Sequence, residues 1–262
     1  MTVTPELREY AETPDRFAVV NSDVVQRFAD DRVCILQGLI WASVSGVATD
    51  DVEALVREVR ERVPAEKQSI WWIGPSAQPP DLYEQLQRLG LREPSDRTPL
   101  LHAVVATEPP TEPPPAQRAP GIEVREVRTY EDHVATFELR WEAFETPEHR
   151  RAAERERMRE MFDASQAAGV PVAFLATLDG RPAATGMSIP SPRGAFLVGG
   201  ATAPWARGRG LYRALVRARW DHAASRGTPA LVVHAKPDTS LPILLRLGFR
   251  EVCLIRRLED GA

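Results

Sequence analysis

Cysteine is nearly missing from this chain. Cys34 and Cys253 are the only two in 262 residues. A separation of 219 positions makes neither a zinc-ligand spacing nor the framework of a small disulfide-stapled domain. Lysine is as scarce, with Lys67 and Lys236 against 31 arginines; with 23 prolines, that skew reads as codon bias before chemistry. Charge of one sign is lacking too. Thirty-three basic against 37 acidic residues leave a formal charge of −4, no footprint for a polyanion, so nucleic acid is not an expected partner. Long hydrophobic runs are absent. The longest uncharged stretch, Val33 to Thr49, is broken by Gln37, Gly38 and Ser43 and falls short of the roughly 18 apolar residues of a spanning helix. Glu6, Arg8 and Glu9 stand where an export signal would be apolar. These absences predict a soluble cytoplasmic protein with no membrane partner and no metal.

What is present is ample apolar sequence, 43% of the chain, enough for one large or two ordinary domains. The clearest boundary is compositional. Residues 106–120 read ATEPPTEPPPAQRAP, with six of the 23 prolines and no apolar periodicity, as in a polyproline spacer. The expected division is a domain over 1–107, a linker over 108–120 and a domain over 121–262.

Beyond the linker, Gly121 to Val127 alternates like a strand. Tyr130 to Phe144 and Pro147 to Ala168 read as helices, the second with Met158, Met161 and Phe162 on one side of a charged, solvated face. Val170 to Leu178, Arg181 to Ile189 and Ala195 to Thr202 read as antiparallel strands joined by Asp179-Gly180 and Ser191 to Gly194. A helix from about Gly210 to Ala224, a buried strand Ala230 to Ala235, a short helix Ser240 to Leu247 and a last strand Glu251 to Leu258 complete a meander running into a βαβ unit. The fold class is α/β, in the α+β sense of a mixed, mostly antiparallel sheet flanked by helices.

The two halves share an ordered repeat. Ala54-Leu55-Val56-Arg57 matches Ala214-Leu215-Val216-Arg217, Arg88-Leu89-Gly90-Leu91-Arg92-Glu93 matches Arg246-Leu247-Gly248-Phe249-Arg250-Glu251, and Ala48-Thr49 matches Ala201-Thr202, at offsets of 160, 158 and 153. Duplication explains three matches in order. The change in offset leaves seven additional residues in the second copy between Thr202 and Ala214, including Trp205-Ala206-Arg207-Gly208-Arg209-Gly210. The first copy runs from Thr49 through Asp50-Asp51 straight into its helix. A strand, Arg-Gly-Arg-Gly and then a helix present free N–H groups and a favourable dipole to an anion, and Arg207 and Arg209 add charge for phosphate. Gly199 and Gly200, inside the preceding strand, predict a bulge or a close backbone approach. Acidic residues at the equivalent point of the first copy suit a helix cap and repel a pyrophosphate.

Val198 to Phe249 resembles the GNAT acyltransferase superfamily. Its R/Q-x-x-G-x-G/A phosphate loop corresponds to Arg207-Gly208-Arg209-Gly210-Leu211-Tyr212, and its R-L-G-F turn to Arg246-Leu247-Gly248-Phe249. The element order over 121–262 is also that family's, and about 16–107 looks like a degenerate second copy, as in tandem-GNAT proteins. The resemblance implies acetyl-CoA, or another acyl-CoA, held by loop N–H groups from Arg207 to Tyr212, with backbone groups of Ala201 and Thr202 pairing with the pantetheine arm. It implies direct acyl transfer to a primary amine of a small molecule or peptide, in a gap where two strands splay. In many members a tyrosine stands four residues before the glycine of the turn; here that position is Leu244, and in the first copy Leu86.

An amine of pKa near 10 needs a base or water chain, and the oxyanion needs a donor. The remaining acid–base candidates are His234, Asp238 and Ser240, with Thr239 beside them. For His234 the alternative is a core histidine, and for Asp238 to Ser240 simple capping of the short helix. Transfer to a positioned amine also gains from proximity alone. Trp141, Glu142, Phe144 and Glu145 are candidates to line a cationic acceptor's pocket. The competing function is a non-catalytic acyl-CoA-binding or regulatory module; a third possibility is that neither copy binds CoA.

Overall fold

The computed structural model describes residues 3–20, 25–38, 41–64, 67–94, 98–111, 120–227 and 230–261. Most of the expected linker, residues 112–119, lies outside them. Two compact units emerge, and neither is continuous in sequence. The first comprises 1–104, 234–242 and 251–262; the second comprises 105–233 and 243–250.

In the first unit, helix α1 (Pro5–Glu12) begins at Thr4, whose hydroxyl accepts the Leu7 N–H, and a 3₁₀ turn follows at Pro14–Phe17. Strands β1 (Gln26–Ala29), β2 (Cys34–Gln37) and β3 (Trp41–Ser45) lead to helix α2 (Val52–Arg62) and strand β4 (Gln68–Ile73); helix α3 (Leu82–Arg88) and strand β5 (Leu100–Ala106) follow. β1, β2 and β3 are antiparallel neighbours, while β3 and β4, joined through α2, run parallel. Leu55, Val56 and Val59 recur on one face of α2 and bury with Leu82 and Leu86 of α3 against Val44 and Trp71, the spacing of an amphipathic helix on a sheet.

The second unit starts with β6 (Ile122–Glu126), α4 (Tyr130–Ala143), α5 (Glu148–Ala168), β7 (Val172–Leu178), β8 (Arg181–Ser191) and β9 (Gly194–Thr202). The strands β6 to β9 form an antiparallel meander. Its β7–β8 turn has Asp179 at φ +52° and Gly180 at φ +80°, the two left-handed residues of the hairpin that the Asp-Gly pair predicts. On α5, Met158 is buried beside Phe137 and Trp141, while Arg155–Glu148, Arg157–Glu160 and Arg159–Asp163 pair on the exposed face, so the charge run is a solvated surface. Helix α6 (Leu211–Ser225) then leads to β10 (Leu231–Ala235), α7 (Ser240–Arg246) and β11 (Arg250–Asp260). Within this unit the sheet order is β10-β9-β8-β7-β6.

The last strand departs from the division expected at 121–262. β11 pairs with β4, antiparallel from Arg256↔Ile73 to Asp260↔Ser69; Leu258 is fully buried in the first unit's core. The local sequence of Glu251 to Leu258 reads as a strand but does not choose its neighbour, and backbone pairing to β4 chooses the first unit. The segment 234–242 joins that unit as well.

Both cysteines are reduced. Cys34 is buried in β2 and Cys253 is partly covered in β11. Burial, with the Asp15 carboxylate adding, pushes the Cys34 thiol up to about 11; burial and Glu12 push Cys253 up to about 12.

Candidate functional site

The distinctive geometry lies at the end of β9. β9 and β10 run parallel but pair only at Leu231↔Ala195 and Val232↔Phe196; β9 then continues to Thr202 without that neighbour's register. A parallel pair that separates leaves a strand edge of N–H and C=O groups available to an extended ligand. On its other side β9 stays paired to β8 from Ser191↔Gly194 to Ala184↔Thr202, with an irregularity between Thr185↔Ala201 and Met187↔Val198. Over that step β9 has one residue more than β8, and Gly199 takes φ +62°. This is the bulge anticipated at Gly199-Gly200. Ala201 is buried and Thr202 half-buried just beyond it.

From Thr202 the chain turns through Pro204–Ala206 into the arginine–glycine loop. Arg207 Nε donates to the Thr202 carbonyl at 3.4 Å, and Arg207, Gly208, Arg209 and Gly210 are all exposed. Gly208 and Gly210 adopt φ +76° and +89°, and no atom lies within 4 Å of where a Cβ would stand on either. These residues are glycine for backbone conformation, and the space beside them is open. Gly210 is also the N-cap of α6, whose first turn carries no side-chain cap and no acidic residue. The first N–H groups of a helix have no partner within it, so this end offers donors and the positive end of the dipole to an anion. Leu211 is buried, and Tyr212 is half-buried with its ring across Gly200, where a Cβ would meet Cε2 at 3.1 Å.

The equivalent elements of the first unit are closed. β3 and β4 keep parallel register over five pairs, from Trp41↔Gln68 to Ser45↔Trp72, so no gap opens between them. At the N-cap of α2 the Asp51 carboxylate accepts the Ala54 N–H at 2.9 Å, filling with its own charge the position where α6 is open. The repeat is otherwise preserved. Leu55 and Val56 of α2, like Leu215 and Val216 of α6, are buried. The Leu91 N–H bonds back to the Leu86 carbonyl as the Phe249 N–H does to that of Leu244, at 3.1 and 3.0 Å.

His234, Asp238 and Ser240 fall in the first unit, whereas Ala201, Thr202 and Arg207 to Tyr212 fall in the second. His234 Nε2 lies 2.9 Å from the Ala11 carbonyl oxygen. A carbonyl only accepts, so Nε2 carries the hydrogen. Burial drives the imidazole down to about 4, with the Ala11 bond opposing. Asp238 is exposed. Ser240 Oγ accepts the Lys236 N–H at 2.9 Å, which closes the turn ahead of α7. Leu244 is fully buried. Trp141 is committed to the α4–α5 packing, its indole N–H donating to Glu154 and its ring under the Arg155 guanidinium at 5.0 Å, so it does not line an open acceptor pocket.

The histidines give a pH expectation. His133 is also held down to about 4, by burial and then Arg140, against a hydrogen bond at Met158. Folded-state values below the unfolded value mean that this stabilisation is complete above about pH 6.5 and is lost as pH falls towards 4. Side-chain NMR titration is expected to give both residues midpoints near 4. A His234 midpoint near the ordinary value of about 6.5 would contradict this environment.

Sequence reasoning passed over Arg219. It continues the stripe Leu211, Leu215 along α6 at intervals of four, a core-facing position, and only 1% of it is exposed. A charged residue in phase with a helix's apolar face was the available signal.

Residues 133–249 match the family described as the acetyltransferase (GNAT) family. No curated protein matches the chain. Among solved structures, it is similar to a GCN5-related N-acetyltransferase from Kribbella flavida, at TM-score 0.62 and 16% identity over 97% of this chain and 95% of the other. A functionally unknown conserved protein from Staphylococcus epidermidis has TM-score 0.62 and 11% identity over 95% and 97%. A tandem GNAT protein from the clavulanic acid biosynthesis pathway has TM-score 0.55 and 15% identity over 99% and 89%. At such identities these likenesses establish the fold.

Proposed function

We propose that this chain is a member of the GNAT superfamily, whose family model matches residues 133–249, and that it transfers an acetyl group from acetyl-CoA to a primary amine, using one site in the second unit. The observation that carries this reading is the parting of β9 from β10 after Val232↔Phe196, immediately above a helix capped by glycine. Gly208 and Gly210 leave room for a diphosphate against the N–H groups from Arg207 to Tyr212, and Arg207 and Arg209 supply exposed charge. The β9 edge through Ala201 and Thr202 pairs with the pantetheine amides and offers an N–H to the developing oxyanion. Acyl-CoA supplies the activated acyl group.

The first unit serves as scaffold, because its parallel strands are zipped and its helix is self-capped. Leu244, without a transferable proton, replaces the family's tyrosine, and a neutral His234 bonded to Ala11 is a poor base at pH 7. Positioning carries the rate and water takes the amine's proton. The acceptor is a small-molecule or peptide amine.

Acetyl-CoA at about 100 times its dissociation constant is expected to stabilise the protein by about 2.7 kcal/mol, with thiol release when amines are added. Absence of stabilisation would remove the site. Stabilisation without turnover on any amine of a broad panel would favour the non-catalytic binding module, which the buried Leu244 would then explain.

A further inference from the structure

Among the described residues, no carboxylate pairs with the buried cation Arg219. Its Nε donates to the Leu215 carbonyl at 3.0 Å and Nη1 to the Met187 carbonyl at 3.4 Å, while Nη2 is buried without a partner. Among the described residues no carboxylate acts on it; Tyr212 does, through a side-chain hydrogen bond, its ring centre 5.9 Å from Cζ. Tyr212 is no counter-ion, because burial pushes its phenol up from the ordinary value. Gly186 lies directly against the guanidinium, where a Cβ would come within 2.9 Å of Nη1. The sheet has been cleared to let this side chain in.

The direction of the side chain gives the charge its meaning. Helical side chains lean towards the N-terminus, and bonding to Leu215 and contact with Tyr212 bring the guanidinium of Arg219 back along α6 towards its first turn. A cation near the positive end of a helix dipole is unfavourable, and desolvation makes it more so. Guanidinium nonetheless stays charged. Helix N–H groups, two exposed arginines and one buried arginine therefore add potential of one sign at the opening of α6.

We propose that Arg219 is a positioning residue whose buried charge supplies the salt-insensitive part of the affinity of the α6 N-terminus for the diphosphate of CoA. The proposal rests on the reading that this diphosphate binds there. Arg207 and Arg209 are exposed and screened by salt, whereas a buried charge is screened much less.

Isothermal titration of CoA and of S-acetylpantetheine, which lacks the diphosphate, at about 50 and 500 mM salt separates the possibilities. Arg219→Met is expected to weaken CoA binding about tenfold by the same factor at both salt concentrations, leaving S-acetylpantetheine affinity and the thermal midpoint unchanged or the midpoint raised. Arg219→Lys should restore most of the loss. Arg207→Gln should instead show a loss that shrinks at high salt. If Arg219→Met is poorly folded, Arg219→Gln keeps a donor at the Nε position for the Leu215 carbonyl while removing the charge, with the same selective loss expected. Equal losses for both ligands with a lower midpoint would make Arg219 a structural prop and overturn the proposal. Unchanged CoA affinity in Arg219→Met would overturn it while leaving the site reading intact. Failure of the wild-type chain to bind CoA would remove the underlying reading itself.

Discussion

Gly210→Asp is expected to abolish acetyl-CoA binding while leaving the fold in place. The first unit already shows what the substitution does, because Asp51 caps α2 by accepting the Ala54 N–H. A carboxylate at the head of α6 would claim the same donors and set a negative charge where the diphosphate is proposed to lie. Gly210 is at φ +89°, so aspartate must also pull the loop towards an ordinary cap conformation, away from the geometry set by Gly208. Each hydrogen bond to a charged acceptor contributes about 1.5–3 kcal/mol, so losing two of them weakens binding at least about a hundredfold. Titration calorimetry measures this, with circular dichroism as the control for folding. Gly210→Ala carries the backbone strain, about 1–2 kcal/mol, without the charge, and is expected to fall between wild type and aspartate. Full retention of binding in Gly210→Asp would mean that the anion lies elsewhere.

Removing residues 251–262 is expected to unfold the first unit. β11 contributes five paired residues to β4. Glu259 exchanges both backbone bonds with Arg92, at 2.7 and 2.9 Å; its side chain accepts from Gln68, and Asp260 pairs with Arg60 at 2.8 Å. The exposed ion pair adds little, whereas burial of Leu258 in the core with Trp71 adds most. Leu258→Ala alone should cost about 2–5 kcal/mol, against total stabilities of about 5–15 kcal/mol for a domain. In the truncated chain, hydrogen exchange is expected to lose protection across β2, β3 and β4 and to keep it across β6 to β9. Tryptophan emission should shift to the red as Trp71 and Trp72 become wet. Retained protection over residues 34–73 would show that the N-terminal unit folds without the C-terminal strand.

The second half was largely legible because its signals are local. Asp-Gly at 179–180, the apolar, β-prone segment before it and the Gly199-Gly200 pair each specify backbone conformation within a few residues, and the strands, hairpin and bulge lie where those signals put them. The loop's conformation was legible because glycine before an amphipathic helix specifies left-handed backbone, which Gly208 and Gly210 adopt. What escaped depends on partners remote in sequence. Nothing within Glu251 to Leu258 says that its ladder is completed by β4, so the unit boundaries did not follow. The same holds for His234. Its side-chain type marks it as an acid–base candidate, but its titration is set by burial, opposed by a bond to the Ala11 carbonyl more than two hundred positions away, and neither is visible locally. Arg219 was hidden differently, since one charged residue on an apolar stripe resembles noise until Gly186 is seen beneath it.

The two raised thiols bear on how the proposed transfer can be assayed. With Cys34 held up to about 11 and Cys253 to about 12, at pH 8 only about one Cys34 in a thousand is thiolate, and fewer of Cys253. Thiolate is the reactive form, so in an assay that counts free thiol with a disulfide reagent the protein is a silent background. Each equivalent of colour would then report one CoA released by the proposed transfer, and an amine panel can be read continuously without mutating the chain.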